Sequence, residues 1–322
     1  MHIARHSFVE ASVAAALAFG IASAPRHALG YCRTTTDVTT VGGCATAGLP
    51  LFWQNACVGY SISRATGTIP LSAATTVIDK SFATWSNVTC PASGENVGID
   101  ASNLGPVDCN TIGYNKNGPN QNLIVFYDAN WPYNDPNNTL GLTTVTFNTE
   151  TGEIYDADME INNTGGNVTT SDVVPPTGYD LQSIVTHEAG HFFGLAHSPD
   201  PSATMYPSYK EGSSSLRTLA ADDIAGICEI YPNVDERSVA GSFCASGFSA
   251  AGACDPTPRH GFSSSCNGVS SDSSPASAAE CIGGLSGGCS VGRTPLKFRS
   301  SCVGFVIAGV AGVVARRRTR RS

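Results

Sequence analysis

Apolar and polar positions along the chain alternate in a few short runs and recur at helical spacing in others. Val58-Gly-Tyr-Ser-Ile62 alternates and predicts a first strand. Ile78, Phe82 and Trp85 fall at i, i+4 and i+7, so one apolar stripe predicts a helix from Ala73 to about Val88, with Ser72 as its cap. Leu123-Ile-Val-Phe-Tyr127 is a continuous apolar run, expected as a buried strand between two loops rich in Asn, Gly and Pro at 110–121 and 129–139. Leu140–Phe147 predicts another strand, and Asn148–Gly152 a turn into a partner at Glu153–Ile161. Asp180 stands where it can cap a helix with Leu181, Ile184 and Val185 on its core side. A last helix is predicted from Leu219 to Tyr231, with Ile224, Ile227 and Tyr231 on one face.

The two ends break this pattern. Met1–Gly30 carries Arg5 and His6 and then an unpatterned apolar run, Val13–Ala24, so residues 1–30 read as a secretory signal with the mature chain starting near Tyr31. After the predicted domain at 31–233, residues 234–290 turn to Ser, Gly and Ala with spaced cysteines. They are too poor in large apolar residues to build a core, which leaves a disulfide-tied stalk or a small binding module. Residues 291–322 hold Val303–Ala315, thirteen apolar residues, followed by Arg316-Arg-Arg-Thr-Arg-Arg321. That run is shorter than the roughly 20 residues a full span takes.

Charge and cysteine content narrow the class. A net charge of −8 argues against nucleic acid as a partner. Twelve cysteines in a chain with an export signal imply disulfides. Six lie within 31–233 (Cys32, Cys44, Cys57, Cys90, Cys109 and Cys228), enough for three bridges in 15 arrangements. Cys90–Cys109 is the preferred local pairing, and the others stay open.

The candidate chemistry sits at 187–205. His187 and His191, four apart, share one face of a helix and can hold one Zn²⁺, while Glu188 between them can act on water. Gly194 offers a left-handed turn that swings His197 back as a third ligand. Three protein ligands leave a position open for water, which is the catalytic pattern. With 7 His and 34 Gly in the chain, a chance match to His-Glu-x-x-His-x-x-Gly-x-x-His has odds on the order of 10⁻⁵.

The extended motif followed by Met205 resembles the metzincin clan of zinc metalloproteases. Within it, His197-Ser198, Ala203-Thr-Met-Tyr-Pro-Ser-Tyr209, Phe82-Ala-Thr-Trp85-Ser-Asn-Val-Thr89 and Asp222-Asp-Ile224 resemble the matrixins. Pro207 stands where astacins and serralysins carry a zinc-binding Tyr. The resemblance implies an α+β, zincin-like fold: a twisted, mostly parallel sheet with an antiparallel edge strand, three main helices, and a cleft above the zinc helix. It implies a zinc endopeptidase acting on protein or peptide substrates, with His187, His191 and His197 as ligands, Glu188 as general base, and Met205 as an apolar floor beneath the metal. It places an extended substrate along the edge strand at Leu142, Thr143 and Thr144, with Pro207 and Tyr209 near the pocket and the loop Lys210–Thr218 bordering it.

By the same resemblance, Asp156, Asp158 and Glu160, which alternate along their strand, stand where matrixins bind Ca²⁺; a solvated acidic face is the alternative. A second, structural zinc is not expected, because no histidine lies between residues 28 and 186. The matrixin latency motif is missing, and Gly42-Gly-Cys44-Ala offers only a weak substitute, so Cys44 is better used in a disulfide. The order of Gly287-Gly-Cys289, apolar run and arginine cluster resembles bacterial C-terminal sorting tags of the myxobacterial type. It implies surface display, with a retained membrane anchor as the other option. The competing functional expectation is a silent surface-binding or adhesion protein that keeps the fold.

Overall fold

The computed structural model describes residues 30–37, 44–45, 47–233 and 255–266, together with the backbone of 316–317. The expected signal segment up to residue 29 and the apolar run 303–315 lie outside the described residues. No helix among the described residues is long and apolar enough to cross a membrane.

Five strands form the main sheet: β1 (Cys57–Ser63), β2 (Asp100–Val107), β3 (Leu123–Tyr127), β4 (Gly141–Phe147) and β5 (Ile154–Asn162). They lie in the order β2-β1-β3-β5-β4, parallel throughout except for β4, which runs antiparallel to β5 at one edge. The mostly parallel sheet with an antiparallel edge strand is therefore as the sequence implied.

Three helices complete the domain: α1 (Leu71–Ser86), α2 (Leu181–Phe192) and α3 (Ala221–Ile230). α1 starts at Leu71, two residues before the predicted Ala73. Pro70, with φ fixed at −57°, takes the cap position and its carbonyl accepts from Ala73 and Ala74, so Ser72 lies inside the helix and caps nothing. Ile78, Phe82 and Trp85 are fully buried. Phe82 stacks on Tyr60 of β1 at 4.0 Å and meets Phe192 of α2 edge-on at 5.1 Å. The indole of Trp85 donates to the Thr186 carbonyl at 2.8 Å, fixing α1 against α2.

α2 is the central element, buried along nearly its whole length. Asp180 caps it as expected, accepting from the Ser183 amide and hydroxyl at 2.9 and 2.7 Å. Arg217, from the loop before α3, closes on both Asp180 oxygens at 2.7 Å. At the other end, the free carbonyls of Phe192 and Phe193 accept from the Trp53 indole and the Tyr231 hydroxyl, each at 2.8 Å.

Both faces of β5 are buried, which overturns the solvated acidic face. Ala157, Met159 and Ile161 face the helices. Asp156, Asp158 and Glu160 project from the other side, as the alternation required, but beneath cover. Part of that cover comes from 255–266, within the stretch expected as stalk. This strap lies along the domain: Asp108 and Asn120 donate to the carbonyls of Ser264 and Gly261, both at 2.9 Å. Arg259 pairs with Glu153 at 3.0 Å and stands 3.8 Å over the Tyr155 ring. His260 bonds the Tyr114 hydroxyl at 2.9 Å.

The cysteine pairing also corrects the local guess. Cys90 is bonded to Cys228 and Cys109 to Cys266, not to each other; Cys32 is bonded to Cys44. Cys57 is also disulfide-bonded. Sequence proximity favoured a short loop, but the fold turns Cys90 toward α3 and Cys109 toward the strap. Replacing Cys109 and Cys266 together by serine is expected to lower stability by about 2–4 kcal/mol, read from denaturant unfolding, because the bridge closes a loop with a sequence separation of 157.

Candidate metal centre and active site

His187 and His191 stand on one face of α2 with ring centroids 4.9 Å apart. The helix then stops. Gly194 adopts φ +96°, and a Cβ there would come within 2.7 Å of the Leu51 carbonyl, so only glycine makes this turn without strain. Beyond it, Leu195–Ala196 pairs antiparallel with Cys32–Arg33 near the N-terminus. That pairing holds the segment that brings His197 to 5.3 Å from His187 and 5.1 Å from His191, between centroids. One metal-ligating atom from each of the three rings lies within 4.8 Å of the others.

The hydrogen bonds decide which nitrogens face inward. Nδ1 of His187 is 2.6 Å from the Thr204 carbonyl, and Nδ1 of His191 is 2.7 Å from the Leu195 carbonyl. A carbonyl only accepts, so both Nδ1 atoms carry protons and both Nε2 atoms are bare lone pairs. Those two Nε2 atoms face each other at 3.2 Å. Nε2 of His197 is buried with no protein partner. Two facing lone pairs and a third, partnerless ring nitrogen are unfavourable together unless a cation lies among them. Tetrahedral Zn²⁺ ligands at about 2.0–2.1 Å stand roughly 3.3 Å apart, so the residues fit zinc. Burial drives the pKa of His187 down to about 4 and that of His197 to about 3, and it lowers His191 as well, aided by its two neighbours. Neutral imidazole is the form that ligates.

Met205 is buried beneath α2. A Cβ on Gly190 would meet its sulfur at 2.2 Å, so the turn carrying Met205 packs directly on the helix backbone between the two ligands. Asp223 holds that turn in place. Its carboxylate accepts from the amides of Thr204 and Met205 at 2.7 and 3.0 Å and from Ala220 at 2.8 Å. In the sequence Asp223 stands out only as part of the Asp222-Asp-Ile224 likeness, which does not reveal this support. Its position three residues after Ala220, in a helix start with no side-chain acceptor at the cap, was the available signal.

Glu188 is fully buried. Thr143 of β4 donates to its Oε2 at 2.8 Å, while Oε1 has no protein partner. Burial pushes its carboxyl up to about 8, with the Thr143 hydroxyl opposing the rise and the Glu160 charge adding to it. A buried carboxyl displaced toward neutral pH suits proton transfer.

The residues expected to contact substrate divide. Thr143 turns inward to Glu188. Leu142 and Thr144 pair with Glu160 and Asp158 and so share the opposite face of the sheet. Pro207 is partly exposed just past Met205. Tyr209 is buried, with its hydroxyl bonded to the Ser213 carbonyl and accepting from the Asp180 amide, so it ties the following loop to the start of α2.

Asp156, Asp158 and Glu160 do not gather into one ligand set; among the described residues only the three histidines do so. Successive same-face positions on a strand stand about 7 Å apart, and two of the three carboxyls have donors of their own. Asp158 accepts from the amides of Gly113 and Leu123, both at 2.7 Å, and Glu160 from the Tyr133 hydroxyl at 2.8 Å. Burial, with the adjacent Asp158 charge, raises Asp156 well above the carboxylate range, and burial raises Asp158 to about 6.

A mixed sheet carrying a three-histidine centre, with a carboxylate on the same helix and a methionine below, is the metzincin architecture. The sequence model of the family described as Matrixin (Peptidase_M10) matches residues 52–232, more than half of the chain. The chain belongs to the matrixin family. It is 37% identical to human neutrophil collagenase over 112 residues, 34% of this chain and 22% of that protein. It is 26% identical to rat matrilysin over 179 residues, 56% of this chain and 58% of that protein. With metalloendoproteinase 1 of Glycine max it shares 31% over 159 residues, 48% and 44% of the two chains. It thus spans less than two thirds of each of these relatives.

Two measurements follow from the electrostatics. Carboxyls raised in the folded state bind protons that the unfolded chain releases, so their contribution is full below about pH 4 and is lost as pH rises through their folded pKa. Wild type is therefore expected to lose stability between pH 4 and 7 through this pair, and Asp156→Asn to show a shallower slope over that window in pH-resolved denaturant melts. Asp223→Ala leaves two turn amides unpaired and is expected to cost about 2–4 kcal/mol in the same assay, with weakened metal retention on dialysis.

Proposed function

We propose that this chain is an exported zinc endopeptidase. The observation that carries the reading is the convergence of three neutral imidazoles, two of them locked by carbonyls, beside the buried carboxylate of Glu188. His187, His191 and His197 would hold the zinc. When bound, zinc supplies Lewis-acid polarisation of the scissile carbonyl and acidifies water toward neutral pH.

The remaining work belongs to the chain. Glu188 takes a proton from the attacking water through its unpartnered oxygen and delivers it to the leaving amine. Edge strand β4 offers unpaired backbone groups to an extended peptide, which would add as one more strand beside α2. In that pose the peptide bonds to the main chain of Leu142–Thr144 and not to their side chains. Pro207, partly exposed after Met205, stands beside the cleft. Arg217, paired with Asp180, and Tyr209, bonded to the Ser213 carbonyl, tie the loop 210–218 to the start of α2.

Export is supported by the disulfides, which persist in oxidising compartments. The sequence order of Gly-Cys, apolar run and arginines supports display at the cell surface. An adhesion protein would have no use for the Glu188 arrangement beside the metal cluster.

The test is hydrolysis of a quenched-fluorescent peptide library by the full chain. A chelator should abolish turnover and added zinc restore it. Glu188→Gln should retain one zinc by elemental analysis while kcat/KM drops by about 10³-fold or more. Turnover by that variant at the wild-type rate would remove Glu188 from the mechanism.

A further inference from the structure

Thr143 is fully buried on the core-facing side of β4, opposite Met159, where an aliphatic residue would pack equally well. Burying a hydroxyl at such a place is costly unless it has a partner. Its partner is Glu188. The hydroxyl oxygen lies 2.8 Å from Oε2 and 3.2 Å from the Glu188 main-chain carbonyl. It has one proton to give, and an ionised carboxylate is the stronger acceptor. Two residues earlier on the same strand face, Gly141 leaves room for the other side of the carboxyl group. A Cβ there would stand 2.7 Å from Oε1, 2.8 Å from Cγ and 2.9 Å from Cδ of Glu188. Gly141 and Thr143 thus form a cradle with period two: one position makes space and the other makes a bond. Oε1 is left as the carboxylate oxygen with no protein partner.

From this geometry we infer that Thr143 is a positioning residue: its hydroxyl holds Oε2 so that Oε1 alone is presented for proton transfer, with Gly141 clearing the space that this orientation needs. The inference rests on the endopeptidase reading and deepens it. It also links two functions of one strand, since β4 would bind substrate through its backbone while aiming the base through a side chain on its inner face.

The experiment uses the full chain and three substitutions. Thr143→Val keeps the shape and removes the hydrogen bond; it should lower kcat about 10- to 100-fold with KM within about twofold, because a misaimed base affects the transition state more than peptide binding. Thr143→Ser keeps the hydroxyl and should restore most of the rate. Gly141→Ala, with Thr143 intact, should lower kcat by pushing the carboxyl aside. Zinc content of one per chain in all three separates aiming from metal loss. A second readout needs neither zinc nor turnover: in the metal-free protein, the Glu188 carboxyl stretch, isolated as the infrared difference from Glu188→Gln, should shift in Thr143→Val and stay in place in Thr143→Ser. An unmoved band in the valine variant, or a wild-type kcat in it, overturns the inference. Failure of the wild-type chain to cleave any peptide would sink the endopeptidase reading instead, while the infrared comparison would still decide whether Thr143 holds Glu188.

Discussion

The structure depends on bringing three imidazole rings to one point and keeping them there. The Nε2 atoms of His187 and His191 come within 3.2 Å of each other, a separation that leaves little tolerance for ring movement. The fold therefore has to hold the rings by other bonds. The Thr204 and Leu195 carbonyls fix two of them at Nδ1, and each carbonyl lies in a segment that is itself tied down. Thr204 is in the turn whose amides bond to Asp223, and Leu195 is in the short pairing with Cys32–Arg33. The geometry of the centre is thus set by ordinary packing and hydrogen bonds one layer out.

That layer explains features that look unrelated in the sequence. Gly190 is small because Met205 lies against the helix backbone, and Gly194 is glycine because the chain must reverse over Leu51. Trp53 and Tyr231 satisfy the last carbonyls of α2, so a helix that ends inside the protein leaves no polar group stranded. Cys90–Cys228 ties the end of α1 to α3, whose Asp223 supports the methionine turn. Each device limits how far α2 can move relative to the segment bearing His197.

Much of this could be read from the chain, and the division is physical. The helices and strands around the centre were legible because burial imposes a period: Ile78, Phe82 and Trp85 had to share a face, as did Leu181, Ile184 and Val185. The three-histidine cluster was legible because ligand spacing on a helix is a local property. What depends on contacts distant in sequence was not legible. The disulfide partner of Cys109 lies in a tail with no apolar pattern, and nothing local distinguishes a strap from a stalk. Pro70 displaced Ser72 as the cap because backbone geometry prevailed over side-chain preference. The sequence resemblance makes Thr143 a substrate contact, and strand alternation does not reveal which face meets α2 until the sheet order is known.

The acidic face of β5 shows how such non-local cover changes chemistry. On an exposed strand, Asp156, Asp158 and Glu160 would be ordinary solvated carboxylates. Under cover they need donors or protons: backbone amides serve Asp158 and the Tyr133 hydroxyl serves Glu160, while burial favours the neutral form of Asp156. The strap is in turn anchored by Arg259 on Glu153 and Tyr155, at the start of the same strand. A segment too polar to fold alone thus becomes ordered by covering a strand whose charges need cover, and a disulfide makes that arrangement independent of a large apolar interface. The same strand that carries these carboxyls pairs with β4, so the stability of the acidic face bears directly on the edge where Thr143 meets Glu188.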